Sequence, residues 1–206
     1  MRNPWKEMQL THYEAHMGLD GVEQLQALES ITRDQLAAFP IQSVAILGIA
    51  GGNGLSHIPD CVRRIVGFDI NQDYLDVCRE RYGDMGDRLE LRCADLSRDG
   101  AHVPRVDLVL ANLFVEYVGI NQFSGLMQAC GAQTVSCAVQ VNTEAQFVSD
   151  SPYALLFSKI EELHRDIEPR QLNDAMEKVG YRKLQEIKYD LPNGKYLLRI
   201  DYEKHS

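Results

Sequence analysis

The chain is short of positive charge, poor in cysteine and without any long hydrophobic run. In 206 residues no apolar stretch approaches the roughly 18 residues that a membrane-spanning helix needs, and no secretory leader pattern is present. Neither a membrane span nor a secreted product is expected. The five cysteines, Cys61, Cys78, Cys93, Cys130 and Cys137, are odd in number, scattered and without a C-x-x-C pair. That argues against a disulfide framework and points to buried thiols of a reducing cytoplasm. Lysine and arginine total 21 against 30 acids, a formal charge of −9. This balance disfavours a nucleic acid or an anionic membrane as partner, since both select basic surfaces. The length suits one domain with an attached segment.

The stretch that organises the rest runs from Ile41 to His57, IQSVAILGIAGGNGLSH. Val44 to Leu47 and Ile49 form a short apolar run of the kind buried on both faces of a parallel sheet. Gly48, Gly51, Gly52 and Gly54 follow, and glycine there permits positive φ and close approach of a ligand to the backbone. Leu55 to Ile58 read as the opening of a helix, whose free N–H groups favour an anion. The dinucleotide fingerprint G-x-G-x-x-G does not fit at any offset; Ala50-x-Gly52-x-Gly54 gives a tighter loop with alanine first. The next strand, Ile65 to Phe68, ends in Asp69, placed to accept hydrogen bonds from ribose hydroxyls.

At these residues the chain resembles the class I S-adenosylmethionine-dependent methyltransferases. Their first motif ends in a G-x-G-x-G loop and their second strand in the ribose acid, here G-F-D-I-N. Their third strand is followed by an acid near the adenine, here C-A-D-L, and their fourth reads as D followed by apolar residues, here V-D-L-V-L-A-N-L-F. The resemblance runs from about Val44 to Tyr202. It implies a Rossmann-like doubly wound α/β sheet, mostly parallel with an antiparallel C-terminal hairpin strand, and S-adenosyl-L-methionine as cofactor. It also implies cofactor contacts at Gly48, Ala50, Gly52, Gly54, Asp69, Ile70, Asp95, Leu96 and Asn112. There are two departures. Gly48 stands where the family places an acid, and Ala50 stands at its first glycine; both bear on the contacts to the methionine amino group.

Residues 1–40 are helical in character and read as a cap, with a break near Gly18–Gly21 and Thr32 as the N-cap of a short last helix. His12 and His16 share a helix face, but H-Y-E-A-H is not H-E-x-x-H and no third ligand is evident, so no metal is expected. Asn71 caps a helix carrying Tyr74, Leu75 and Cys78, and Thr134–Val141 is a fifth strand. Residues 41–206 form the methyltransferase domain, with a lid-like insertion at about 142–167, longer than a connection needs. Tyr181–Leu191 and Lys195–Tyr202 are joined only by Pro192, Asn193 and Gly194. So short a join requires an antiparallel pair.

The expected activity is methyl transfer to a small-molecule acceptor or protein side chain; the alternative is a catalytically inactive nucleotide-binding regulator of the same fold. An NAD-dependent oxidoreductase is disfavoured by the glycine spacing and the hairpin. The candidate catalytic residues are His16 and Glu116, the latter either a base or a solvated carboxylate at a helix start. Asp95 has a competing reading as a turn aspartate. Tyr13, Phe114, Tyr117 and Tyr153 are candidate acceptor-binding residues, with Trp5 and Phe157 as further pocket aromatics. Some family members that methylate amino groups carry N-P-P-Y after the fourth strand. Here only Asn112 of that motif matches, and the specificity is not carried over.

Overall fold

A computed structural model describes residues 3–98, 100–142 and 154–205. Its centre is a seven-stranded sheet of order β3-β2-β1-β4-β5-β7-β6. The strands are β1 (Ser43–Leu47), β2 (Arg64–Asp69), β3 (Leu89–Cys93), β4 (Leu108–Asn112), β5 (Thr134–Val141), β6 (Tyr181–Asp190) and β7 (Tyr196–Lys204). The first five pair in parallel; β7 runs antiparallel to both β5 and β6. The β6–β7 turn closes with Leu191 N–H on the Lys195 carbonyl, and Gly194 takes φ 79°. The hairpin is the one its turn length required. On the outer edge, β6 is largely exposed, charged and bulged between Lys183 and Gln185, features that discourage pairing with another sheet.

Neighbouring residues of a strand supply opposite cores. Ala45, Leu47, Phe68, Val109 and Ala111 pack with Phe123 and Met127 of α5 (Ile120–Cys130) and Leu172 and Met176 of α7 (Pro169–Lys178). Val44, Ile65, Leu108 and Leu110 face the other way, with Leu36 of α2 (Gln24–Ala38) and Leu75 and Cys78 of α3 (Gln72–Arg81). Each fully buried Leu or Phe contributes about 2 kcal/mol, and burial on both faces accounts for the continuous apolar runs of the inner strands.

Two sequence expectations are corrected. Thr32 does not begin a helix: α2 is continuous through it, and the Thr32 hydroxyl accepts from Asn112 Nδ2 at 3.2 Å. The helix expected at Leu55 is a single 3-10 turn, Leu55–His57. Ile58 precedes Pro59 and sits at ψ 120°, because the proline ring excludes the helical conformation from the residue before it. No helix N-terminus therefore follows the glycine loop. Among the described residues, no helix is long and apolar enough to cross a membrane.

The N-terminal segment splits in two. Helix α2 is part of the layer on one sheet face. Helix α1 (Leu10–Met17) and the 3-10 turn Pro4–Lys6 lie beyond the carboxyl ends of the strands. There Met8, Leu10, Tyr74, Phe157 and Ile160 form a small core with α6 (Ala154–Glu161).

Candidate active site

The site is built where β1 and β4, adjacent in the sheet, send their following segments to opposite sides, the usual ligand crevice of an open α/β sheet. The loop after β1 takes φ of 72° at Gly48, 48° at Ala50, 89° at Gly52 and 86° at Gly54. Gly48 and Ile49 both donate to the Phe68 carbonyl at 2.9 Å, binding the loop to the tip of β2. Asp69 completes the attachment: its Oδ2 accepts from Ala50 N–H at 3.0 Å and its Oδ1 from Asn71 N–H at 2.9 Å. Burial pushes the Asp69 carboxyl up, while the N–H groups of Asn71, Ala50 and Ile70 oppose the shift. The left-handed alanine, costing about 1 kcal/mol or more, is held in place by that carboxylate.

A cavity opens over this corner, at the carboxyl edge where open α/β sheets bind ligands. Gly48, Ala50, Asp69, Ile70, Asp95, Leu96 and Asn112 all line it, as do Tyr13, Phe114 and Tyr117. Asp95 follows β3; its Oδ1 accepts from Ser97 N–H and Oγ, its Oδ2 from Arg98 Nε at 2.9 Å. Burial raises this carboxyl and those donors outweigh it, leaving it below its ordinary value. Asp69 and Asp95 are thus carboxylates at the tips of adjacent strands, with Ile70 and Leu96 as apolar neighbours.

Gly52 and Gly54 do not line the cavity. A Cβ on Gly52 would lie 2.6 Å from the Tyr82 ring, and one on Gly54 2.7 Å from Thr32. The loop is double-sided: Gly48 and Ala50 face the cavity, while Gly52 and Gly54 let α3 and α2 close on it. Asn112 also serves the interior. It exchanges amide hydrogen bonds with Gln35 at 2.8 and 2.9 Å and donates to Thr32, so α2 takes up its polar atoms.

A second, smaller cavity lies beside the first and shares Trp5, Tyr13, Leu113 and Tyr117 with it. His16, Gln24, Glu116, Gln140, Phe157 and His164 form the rest of its polar and aromatic wall. Both candidate catalytic residues meet here. Glu116, on the short α4 (Val115–Val118), is 1% exposed and therefore not a solvated carboxylate. Its Oε1 accepts from Gln140 N–H at 2.8 Å, and its Oε2 has no partner among the described residues. Burial pushes the carboxyl up to about 7, against the N–H groups of Gln140 and of Glu116 itself. Burial and then Lys195 push His16 down; burial takes His164 to about 4.

The walls are aromatic. Trp5 stands edge-on to Tyr117 at 5.0 Å and to Tyr13 at 5.7 Å, and His16 lies 4.5 Å from Phe157. Three buried side-chain polar atoms lack a partner among the described residues: Trp5 Nε1, Tyr74 OH and Glu116 Oε2. The first two residues line the first cavity and Glu116 the second. Tyr153 lies outside the described residues. The sequence reading assigned Tyr74 to the buried face of α3 and missed Gln24 and Gln140. Tyr74 was discoverable, since the first turn of a helix following β2 lies at the carboxyl edge of the sheet.

No protein-family model matches the chain, and no curated protein does. Solved structures do. Magnesium protoporphyrin IX methyltransferase from Synechocystis, with bound S-adenosylhomocysteine, aligns at TM-score 0.69 and 12% identity over 98% of this chain and 97% of that one. The N-methyltransferase NodS from Bradyrhizobium japonicum aligns at 0.66 and 11% over the whole of both chains. The [4+2]-cyclase SpnF aligns at 0.64 and 12% over 91% of this chain and 85% of that one. The fold is that of the class I S-adenosylmethionine-dependent methyltransferases. That fold also carries other chemistry, as the cyclase shows, so activity has to be argued from the site.

Proposed function

We propose that the protein binds S-adenosyl-L-methionine in the first cavity and transfers its methyl group to a small molecule in the second. The observation that carries this reading is the set of buried atoms unpartnered among the described residues, all in residues of two neighbouring cavities, the first lined by the carboxylates of Asp69 and Asp95. Buried polar groups are almost always paired, so this concentration points to partners that arrive with ligands. The donor set fits the nucleotide. Asp69 retains lone pairs for ribose hydroxyls, and Asp95 stands on the adjacent strand tip for the adenine amino group. Ile70 and Leu96 offer apolar surface to the base, while Gly48 and Ala50 leave the methionine part room against the backbone. Trp5 Nε1 and the Tyr74 hydroxyl supply donors.

When bound, the nucleotide supplies an already activated methyl on a sulfonium. The protein's work is then alignment and exclusion of water. Trp5, Tyr13 and Tyr117 line both cavities and stand between nucleotide and acceptor. Glu116 is the proton acceptor of the pair named from sequence, since it lines the second cavity and one of its carboxylate oxygens is unpaired among the described residues. His16, a neutral imidazole against Phe157, shapes the wall. Calorimetric titration with S-adenosylmethionine, S-adenosylhomocysteine and NAD tests the reading: the first two should bind and NAD should not. Binding of NAD alone would overturn it. The regulatory alternative draws on Gly48, whose Cβ position lies 3.4 Å from the Phe114 ring, leaving no acid there. It predicts nucleotide binding without turnover on any acceptor.

A further inference from the structure

The chemistry of the second cavity narrows the acceptor. Its wall holds one carboxylate oxygen without a partner, 1% exposed as part of Glu116. When ionised, above its midpoint of about 7, this carboxylate can only accept hydrogen bonds, so it then favours a ligand that brings an N–H or O–H donor. Among the described residues neither lysine nor arginine lines the cavity, although buried Lys195 acts on both of its histidines. The usual direct holders of an anionic ligand are thus not in its described wall. The aromatic faces of Trp5, Tyr13, Tyr117 and Phe157 attract cations, and the chain's charge of −9 draws them in.

We propose that the second cavity is the acceptor site and that the acceptor is a small amine, held as its ammonium by Glu116 Oε2 among these aromatic rings. The proposal rests on the methyl-transfer reading for the term acceptor; amine binding stands on the cavity alone. In the reaction the ammonium gives one proton to Glu116. The freed nitrogen lone pair forms the bond to the methyl carbon as the carbon–sulfur bond breaks with both electrons passing to sulfur. The products are an N-methylammonium and a neutral thioether, so charge and atoms balance.

Other titratable groups surround Glu116. Tyr13 and His16 face the cavity from α1, Tyr117 from α4, and His164 from the segment after α6. Cys137 of β5 feels Glu116 from the sheet, and Lys195 acts on both histidines. Burial raises the two tyrosines and the thiol and lowers both imidazoles. Glu116 changes charge between pH 6 and 8, with its midpoint at about 7, while His16 is lowered from its ordinary value.

The test uses benzylamine, benzyl alcohol and phenylacetate, which share a ring and differ in the group offered to Glu116. Each is titrated calorimetrically into the full-length protein, with and without S-adenosylhomocysteine, from pH 6 to 8. Benzylamine should bind at least about tenfold tighter than the alcohol at pH 8, as a charge-assisted bond predicts. Its affinity should fall toward pH 6, and phenylacetate should bind weakest. Glu116→Gln should erase the amine's margin while keeping S-adenosylhomocysteine affinity. Equal binding of amine and alcohol, preference for phenylacetate, no binding of any probe, or undiminished amine affinity in Glu116→Gln would each overturn the proposal. Failure of S-adenosylhomocysteine alone to bind would instead strike the methyl-transfer reading, since the amine series is also read without it.

Discussion

Two regions of the sheet treat buried polar atoms in opposite ways. On β7, Asp201 is 0% exposed, yet its carboxylate is saturated. Oδ1 accepts from Arg199 Nε at 2.9 Å and from the Ser136 hydroxyl; Oδ2 accepts from Arg199 Nη2 at 2.7 Å and Gln185 Nε2 at 2.6 Å. At the carboxyl edge around β1 and β4, Trp5, Tyr74 and Glu116 each keep a buried atom without a partner among the described residues. A fully paired network rigidifies the fold and asks nothing of a ligand, whereas unpaired atoms are costly until something binds. The Asp201 network on the β5–β7–β6 side is complete in itself, whereas on the proposed reading the cavity side is completed by its ligands.

The contrast is broken most severely at Asp201. Asp201→Ala strands the Arg199 guanidinium in the interior and should cost about 3–5 kcal/mol of unfolding free energy, read by urea denaturation, without changing nucleotide affinity of the folded protein. A loss below about 1 kcal/mol would erase the distinction.

Next comes the pH dependence of Glu116. Its folded-state value, about 7, lies above its ordinary 4.5, so the folded protein keeps a proton that the unfolded chain releases between those values. Stability therefore falls as pH rises through that window, by about 3 kcal/mol. Glu116→Gln should remove this slope. An unchanged slope in the variant would mean the carboxylate has a compensating partner.

The double-sided loop gives a smaller effect. Gly52→Ala forces a Cβ against Tyr82 at φ 89° and should cost about 1–3 kcal/mol in stability. Nucleotide affinity of the folded variant should persist, because position 52 faces α3. Loss of affinity at full stability would put Gly52 in the cavity.

The smallest change is expected from Tyr74→Phe. Removing a hydroxyl with no protein partner should leave unfolding free energy within about 1 kcal/mol of the parent, or raise it. A larger loss would show that the hydroxyl was already satisfied.

The legible parts of the sequence were those fixed by local chemistry. Thr134–Val141 was readable as a strand with the same bounds, and the hairpin followed from a three-residue join. Asn71 capped α3 as expected, its side chain accepting from Asp73 N–H. The misread helix at Leu55 was also local, since Pro59 was visible and its effect on Ile58 was not weighed. Thr32 misled because its hydroxyl is used across the fold, on Asn112, which no local pattern reveals. The site was legible where a residue's place at a strand tip decides its direction, as for Asp69 and Asp95. It was not legible within the glycine loop, where the side facing a ligand depends on which helices flank the other side. Glu116 read from sequence as either a base or a solvated helix-start carboxylate; its burial against Gln140 and beside His16 and His164, far away in sequence, was not visible there.

The most direct test of the central claim is the affinity of S-adenosylhomocysteine for Asp69→Ala and Asp69→Asn, measured by calorimetry beside the parent. A charged acceptor of ribose hydroxyls is worth about 2–3 kcal/mol, so Asp69→Ala should weaken binding roughly 30- to 150-fold, with Asp69→Asn, which keeps one acceptor oxygen, between it and the parent. Equal affinity in the parent and in folded Asp69→Ala would contradict the account.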